Sequence, residues 1–381
     1  MVAVLHVIQP TTGGAAAYVA AAAAEQRARS WRVAVAAPGS GWLAETLARQ
    51  GVPLLPWPAT RDLGVATVRE AQELTHLVRA FRPDVVHLHC AKAGLTGRIA
   101  LHGDLPTLFQ PHGWSWLAAT TAQSHLALRW ERFATRWTST VVCVGDGEAR
   151  LGRRSGIGGR FAVVRNGVDR RRFRPDGTSK EHARALVGVA PEVPLVVCIG
   201  RICRQKGQDL LVAEWPQVRA VHPDARLALV GPLDGTRPRE AQGVRWAGEV
   251  DDVRPWLYAA DVVVQPSRWE GLPFSALEAL ACGRPVVASD VDGLAEVVRP
   301  GTGAAVTTAA IGHEILRRLA DPARAEAEGR AGARLVRREF DARETFARLA
   351  EVTENAARPA NPCVGHRESH PLERGPRPTA V

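Results

Sequence analysis

The feature that most constrains this chain is a rhythm that runs twice. In the first half, apolar runs of strand length alternate with helical stretches. VAVLHVI (2–8) leads through a TTGG turn into a helical run from Ala15. WRVAVAAP (31–38), DVVHLHC (84–90), PTLFQPHG (106–113) and STVVCVG (139–145) follow, separated by patterns such as VREAQELTHLVRAF (68–81). After RFAVVRNGVDRRRFRPDG the rhythm restarts with PLVVCIG (194–200), ARLALVG (225–231), VRWAG (244–248), DVVVQPS (261–267), RPVVASD (284–290) and GAAVTT (303–308). Helices are expected at 206–221, 273–282 and 310–338, and a long helical stretch at 339–358 closes the fold. Strands that alternate with helices build parallel sheets covered on both faces. The expectation is an α/β chain of two doubly wound, Rossmann-like domains facing a central cleft. The first spans 1–170 and the second 171–339, and a Pro- and Gly-containing tail at 358–381 lacks periodicity and is expected to be disordered. At 381 residues the chain is long enough for two cores.

Several function classes fall away on composition. The N-terminus MVAVLHVIQP has no basic segment of the kind that opens a secretory signal. The longest apolar run, AAAYVAAAAA (15–24), is too short to span a bilayer. The six cysteines show no C-x-x-C spacing, so neither a zinc site nor a disulfide framework is suggested, and a reducing cytosol fits best. The formal charge is +10, and residues 126–175 carry twelve Arg against four acids. Such a patch suits phosphate-rich surfaces or is solvated arginine from a biased codon supply. No nucleic-acid-binding motif accompanies it. Within it, 122–138 predicts an amphipathic helix, with Leu126, Trp130, Phe133, Ala134 and Trp137 on one stripe and Arg129, Arg132 and Arg136 on another. It either packs on its own sheet or rests on an anionic membrane.

Doubly wound sheets bind ligands beyond the carboxyl ends of their strands. Gly13 and Gly14 follow the first strand and open a helix, where backbone amides can approach an anion or simply turn the chain. His87 and His89 share one strand face and read as core or cleft-lining residues rather than metal ligands. His112 ends a strand and is the better site candidate. After PLVVCIG come Arg201 and Lys206. The chain holds only three lysines (Lys92, Lys180, Lys206) against 46 arginines, so an ammonium kept in a glycine-flanked loop points to a role for a compact cation, and the two charges together suit a diphosphate.

Glu270 and Glu278 frame the stretch EGLPFSALE after the strand DVVVQPS. Pro273 suits the first turn of a helix, which places Glu270 in a loop at the cleft and Glu278 on the helix that follows. Carboxylates accept the paired hydrogen bonds of vicinal hydroxyls. The amides of Gly271, Leu272, Phe274 and Ser275 can bind phosphate or sugar oxygens, and Pro273 has none to offer.

Taken in order, G-G, P-H-G, NGVD (166–169), G-R-x4-K-G, E-x7-E and G-R-P-V-V-A (283–288) resemble a retaining glycosyltransferase of family 4 with the GT-B fold, over roughly residues 1–357. The resemblance implies that Glu278 holds the ribose of a UDP- or GDP-sugar and that Glu270 faces the transferred sugar. It implies that Arg201 and Lys206, helped by the Gly14 amide, stabilise the departing diphosphate without a metal or other cofactor, and that His112 lines the sugar site. It further implies that the last helix, 340–357, crosses back to the N-terminal, acceptor-side domain. The expected activity is a metal-independent hexosyltransferase acting on a lipid-linked or carbohydrate acceptor in bacterial cell-surface synthesis, with a cytoplasmic location and, where the acceptor is lipid-linked, a peripheral contact on the inner face of the plasma membrane. A small-metabolite acceptor and a sugar-nucleotide epimerase are the alternatives. Two departures stand out: Asp292 precedes Gly293 where a glycine is common, and VGDGEA replaces a serine-containing loop.

Overall fold

The computed structural model describes residues 1–62, 64–119, 121–235 and 239–358, so the tail expected to be disordered lies outside the described residues from 359 onward. The strands form two sheets. The first contains β1 Ala3–Ile8, β2 Arg32–Ala37, β3 Leu54–Pro56, β4 Val85–His89, β5 Thr107–Gln110, β6 Thr140–Cys143 and β7 Phe161–Val163, in the order β3-β2-β1-β4-β5-β6-β7. The second contains β8 Leu195–Ile199, β9 Arg226–Val230, β10 Val244–Gly248, β11 Val262–Gln265, β12 Val286–Ser289 and β13 Gly303–Val306, in the order β10-β9-β8-β11-β12-β13. Every pairing within both is parallel. The strand order reverses between β1 and β4 in one sheet and between β8 and β11 in the other, and crevices for ligands open at such points.

Small residues bring the covering helices close. The first helix, Gly13–Ala28, buries Ala16, Val19, Ala20 and Ala23 against β1 and β2. In Cys90–Leu101, a Cβ added at Gly94 or Gly97 would lie 2.3 Å from Phe109 or Leu88, so glycine sets that helix-to-sheet distance. The last helix, Ala342–Ala357, buries Leu349 and Val352 against Tyr18, Val85 and Leu108 of the first half.

Local boundaries differ from the sequence reading where short-range chemistry overrides periodicity. β3 and β7, three residues each, are too short to carry a period. The helix expected over 310–338 is two helices, Ile311–Ala320 and Pro322–Glu339. Asp321 accepts from the Arg324 N–H at 3.0 Å and Pro322 starts the second helix, a capped start that a continuous helix would forfeit. The closing helix begins at Ala342 rather than 339, because Asp341 caps it. The Arg- and Trp-bearing segment is an α-helix, Thr121–Ala134, that tightens into a 3₁₀ turn at Thr135–Trp137. Among the described residues no helix is long and apolar enough to cross a membrane.

Candidate active site

A cavity of about 700 Å³ lies between the carboxyl ends of the two sheets. Of the residues singled out in sequence, Gly13, Gly14, His112, Arg201, Lys206, Glu270, Gly271, Leu272, Phe274 and Ser275 line it. Glu278 does not. It sits on the helix Phe274–Ala281, with its charge coupled to Arg172 and Asp252, and burial pushes its carboxyl up to about 7.

The second half supplies most of the charge. Lys206, just before Gly207 opens the helix Gln208–Val221, places Nζ 2.6 Å from Glu270 Oε1, and Ser267 Oγ donates to the same oxygen at 2.7 Å. The pair is nearly buried, with Glu270 only 5% exposed. The uncommitted Oε2 is thus the oxygen that can meet a ligand. Arg201 is bound to Asp234, which also holds Arg61 of the first half at 3.0 Å. Sequence reasoning missed Asp234 and Arg61, which meet across 173 residues. With Glu249, the wall carries three cations and three carboxylates, so each cation already has an anionic partner that a diphosphate would have to share.

The first half supplies backbone amides and rings. Gly14 faces Phe274 so closely that an added Cβ would sit 3.1 Å from its ring, which brings the turn after β1 against the helix after Glu270. His112 occupies the left-handed region at φ 53°, a strained conformation for a non-glycine residue. The N–H of the following Gly113 donates to Glu148 Oε1 at 2.5 Å, while Glu148 Oε2 accepts from Val144 at 2.7 Å. Burial raises the Glu148 carboxyl to about 7. Glu148, in the first turn of the helix Asp146–Arg154 that the VGDGEA segment opens, thus holds the turn after His112.

Two further connections tie the halves together, the first of them at the cavity. Asn166 of NGVD donates to the Leu272 carbonyl at 2.7 Å. The carboxylate of Glu296 accepts from the backbone N–H groups of Asp146 and Gly147 at a helix start.

Behind His112 lies a polar cluster whose members the sequence did not show to be together. His6, His87 and His89 are fully buried on β1 and β4, where His6 pairs in register with His87. Their ring nitrogens lie within 4.8 Å of one another, and His112 adjoins them through His89 at 3.0 Å. His87 has no hydrogen-bond partner on either ring nitrogen.

Comparison with known proteins agrees with this architecture. Residues 13–167 match the family described as glycosyl transferase 4-like domain, and residues 193–321 that described as glycosyl transferases group 1. The chain is 32% identical over 339 residues to the alpha-maltose-1-phosphate synthase of Mycolicibacterium smegmatis, covering 78% of this chain and 84% of that one. It is 34% identical over 217 residues to a GDP-mannose-dependent monoacylated alpha-(1-6)-phosphatidylinositol monomannoside mannosyltransferase of Corynebacterium glutamicum, covering 52% and 57%. The matched stretch thus spans only about half the length of several curated relatives. In fold, the chain resembles Anabaena Alr3699/HepE solved in complex with UDP-glucose, with a TM-score of 0.79 and 21% identity over 93% of this chain and 100% of that one.

Proposed function

We propose a function from one premise: this chain belongs to glycosyltransferase family 4 and has the GT-B fold. It moves a hexose from a UDP- or GDP-sugar to a hydroxyl of a glycolipid or cell-surface polysaccharide precursor, with retention at the anomeric carbon. The observation that carries the reading is the Lys206–Glu270 pair, set beside Arg201 at the strand-order reversal of the second sheet and facing the Gly13–Gly14 turn. Cations at that place suit a diphosphate, and the free oxygen of Glu270 suits a sugar hydroxyl.

In this reading the anomeric carbon–phosphate oxygen bond breaks as the acceptor oxygen attacks from the same face. The acceptor proton passes to the leaving phosphate, so no separate protein base is needed. Lys206 and Arg201, with the Gly14 amide, take up the charge that grows on the diphosphate, a preorganised stabilisation that acts most in the transition state. Glu270 orients the sugar and favours the positive charge that develops on it, and His112 lines the sugar site. Gly13 and the amides of Gly271, Leu272, Phe274 and Ser275 line the donor pocket. Glu278 holds the ribose from its place behind the cavity wall, which requires the donor to reach past the lining toward the helix Phe274–Ala281. The donor domain is taken as 171–339, and the acceptor-side domain as 1–170 with 340–357 returning to it.

The nature of the acceptor draws support from relatives that include a phosphatidylinositol mannoside mannosyltransferase and a lipopolysaccharide core mannosyltransferase. The helix Thr121–Ala134 leaves Leu126 70% and Phe133 43% exposed beside Arg129, Arg132 and Arg136, a surface suited to a peripheral, cytoplasmic contact with anionic lipid. Incubating the chain with UDP- and GDP-hexoses and lipid-linked, carbohydrate and small acceptors, followed by mass spectrometry, tests the proposal. Hexose transfer from one donor supports it, and no donor consumption across the panel overturns it.

A further inference from the structure

We propose that Gln26, through His6 and His89, fixes the tautomer of His112 so that its Nδ1 meets the cavity as a hydrogen-bond acceptor. Four side chains form a line from the first helix to the cavity. Gln26 Oε1 lies 2.8 Å from His6 Nε2, His6 Nδ1 lies 2.9 Å from His89 Nε2, and His89 Nδ1 lies 3.0 Å from His112 Nε2. The first three are 0–2% exposed, and His112 lines the cavity.

The polarity of the line follows from its end. Gln26 stands with Oε1 toward His6 and its buried Nε2 without a partner, and with the amide in this orientation its carbonyl oxygen only accepts, so His6 donates through Nε2. Burial holds the rings neutral at pH 7, so each has one N–H to give. His6 Nδ1 is then a bare acceptor and must receive from His89 Nε2–H. His89 Nδ1 in turn receives from His112 Nε2–H. The remaining His112 nitrogen, Nδ1, is left without a proton. It can accept from a hydroxyl and repels a carbonyl or ether oxygen. Gln26, His6 and His89 are therefore positioning residues acting through His112. The Tyr18 ring, edge-on to His112 with centroids 5.2 Å apart, limits the ring's rotation.

The proximity of His6, His87 and His89 raises a metal-binding alternative, and the line argues against it. Both nitrogens of His6 and of His89 are engaged in it, and no carboxylate belongs to the three-residue group to offset a divalent charge. His87 alone keeps both nitrogens unpartnered.

Long-range ¹H–¹⁵N correlation spectra of the full chain labelled with ¹⁵N-histidine test this directly, with rings assigned by single His→Gln variants. The expected result is a protonated Nε2 and an unprotonated Nδ1 in His6, His89 and His112. An Nδ1–H tautomer in His112, or shifts of the ring signals on adding one equivalent of zinc chloride, overturns the proposal. The variant Gln26→Met fills the same space without an accepting oxygen and is expected to give mixed tautomers in all three rings. An unchanged His112 spectrum in Gln26→Met also overturns it. The consequence for the donor rests on the function proposed above: Gln26→Met raises donor KM roughly three- to tenfold, the loss of one hydrogen bond, with kcat little changed. Because the spectra are read on the free enzyme, failure of the line and failure of the donor reading are distinguishable.

Discussion

At the carboxyl end of the first sheet the cavity meets Gly13, Gly14 and His112, whose ring burial keeps uncharged, its pKa lowered to about 3. At the carboxyl end of the second it meets Arg201, Lys206, Asp234, Glu249 and Glu270, all charged types. The two sheets share a winding pattern and a strand-order reversal, yet the first half brings neutral hydrogen-bonding groups and a single cation, Arg61, while the second brings two cations and three carboxylates. The contrast teaches that the fold fixes where a ligand sits and the loop residues decide what each wall can do. In the proposed function, charge development falls mainly to the second half and recognition of hydroxyls to the first.

The largest expected effect breaks the charged wall. Lys206→Ala should lower kcat by about 10²–10³, corresponding to roughly 3–4 kcal/mol of transition-state stabilisation, with the circular dichroism spectrum retained. Near-normal turnover would make the loop structural only.

The neutral wall is tested by acid. Burial lowers His6 to about 4, His112 to about 3, and His87 and His89 well below 6.5. From pH 6.5 downward these rings take up protons in the unfolded chain that the folded chain refuses, so their contribution to stability falls as pH falls. Glu148 and Glu278, raised to about 7, and Glu131 and Glu296, which burial also raises, act in the opposite sense, since the folded state keeps their protons above the unfolded pKa. The contribution of the rings is therefore read on a single ring, as the difference between a variant and its parent. His87→Gln removes one ring and no hydrogen bond, so between pH 6.5 and 5 the variant should lose about 2 kcal/mol less stability than the parent in urea unfolding. Equal losses would show that the buried rings do not titrate as argued.

How much of this was legible in sequence depended on how local its cause was. Lys206 stood out against a chain that had all but replaced lysine, and Glu270 followed a strand that could be read from VVVQ. Glycine pairs and strand ends then placed both at a cleft. Asp234, by contrast, meets Arg61 only because the two halves close on each other, and His6 reaches His89 across 83 residues. Glu148 was visible as part of VGDGEA, but nothing nearby showed that it would hold the Gly113 amide. Where periodicity misled, as at Asp321–Pro322, a cap of one or two residues was decisive.

A finer comparison lies within the charged wall, between the two glutamates. Glu270 bonds to Lys206 at the cavity, whereas Glu278 stands outside the lining with Arg172 and Asp252. Glu270→Gln should mainly lower kcat and Glu278→Gln mainly raise donor KM, each by roughly 1–2 kcal/mol. Steady-state kinetics on both variants checks this, and swapped phenotypes would reverse the roles. The smallest effect concerns the outer surface of the first half. Sedimentation with anionic vesicles at low salt should capture the chain and release it at high salt, and Leu126→Ser with Phe133→Ser should weaken capture. No binding at low salt would remove the membrane contact.

The central claim is that the charged wall holds a nucleotide diphosphate through Arg201 and Lys206 in place of a divalent ion. Calorimetric titration in EDTA of UDP and GDP, each against its nucleoside, measures this most directly. One of the two diphosphates should bind about a hundredfold or more tighter than its nucleoside, as two charge-assisted contacts imply, and Lys206→Ala should abolish most of that difference. Equal affinities for diphosphate and nucleoside, or a diphosphate preference that appears only on adding magnesium, would contradict it.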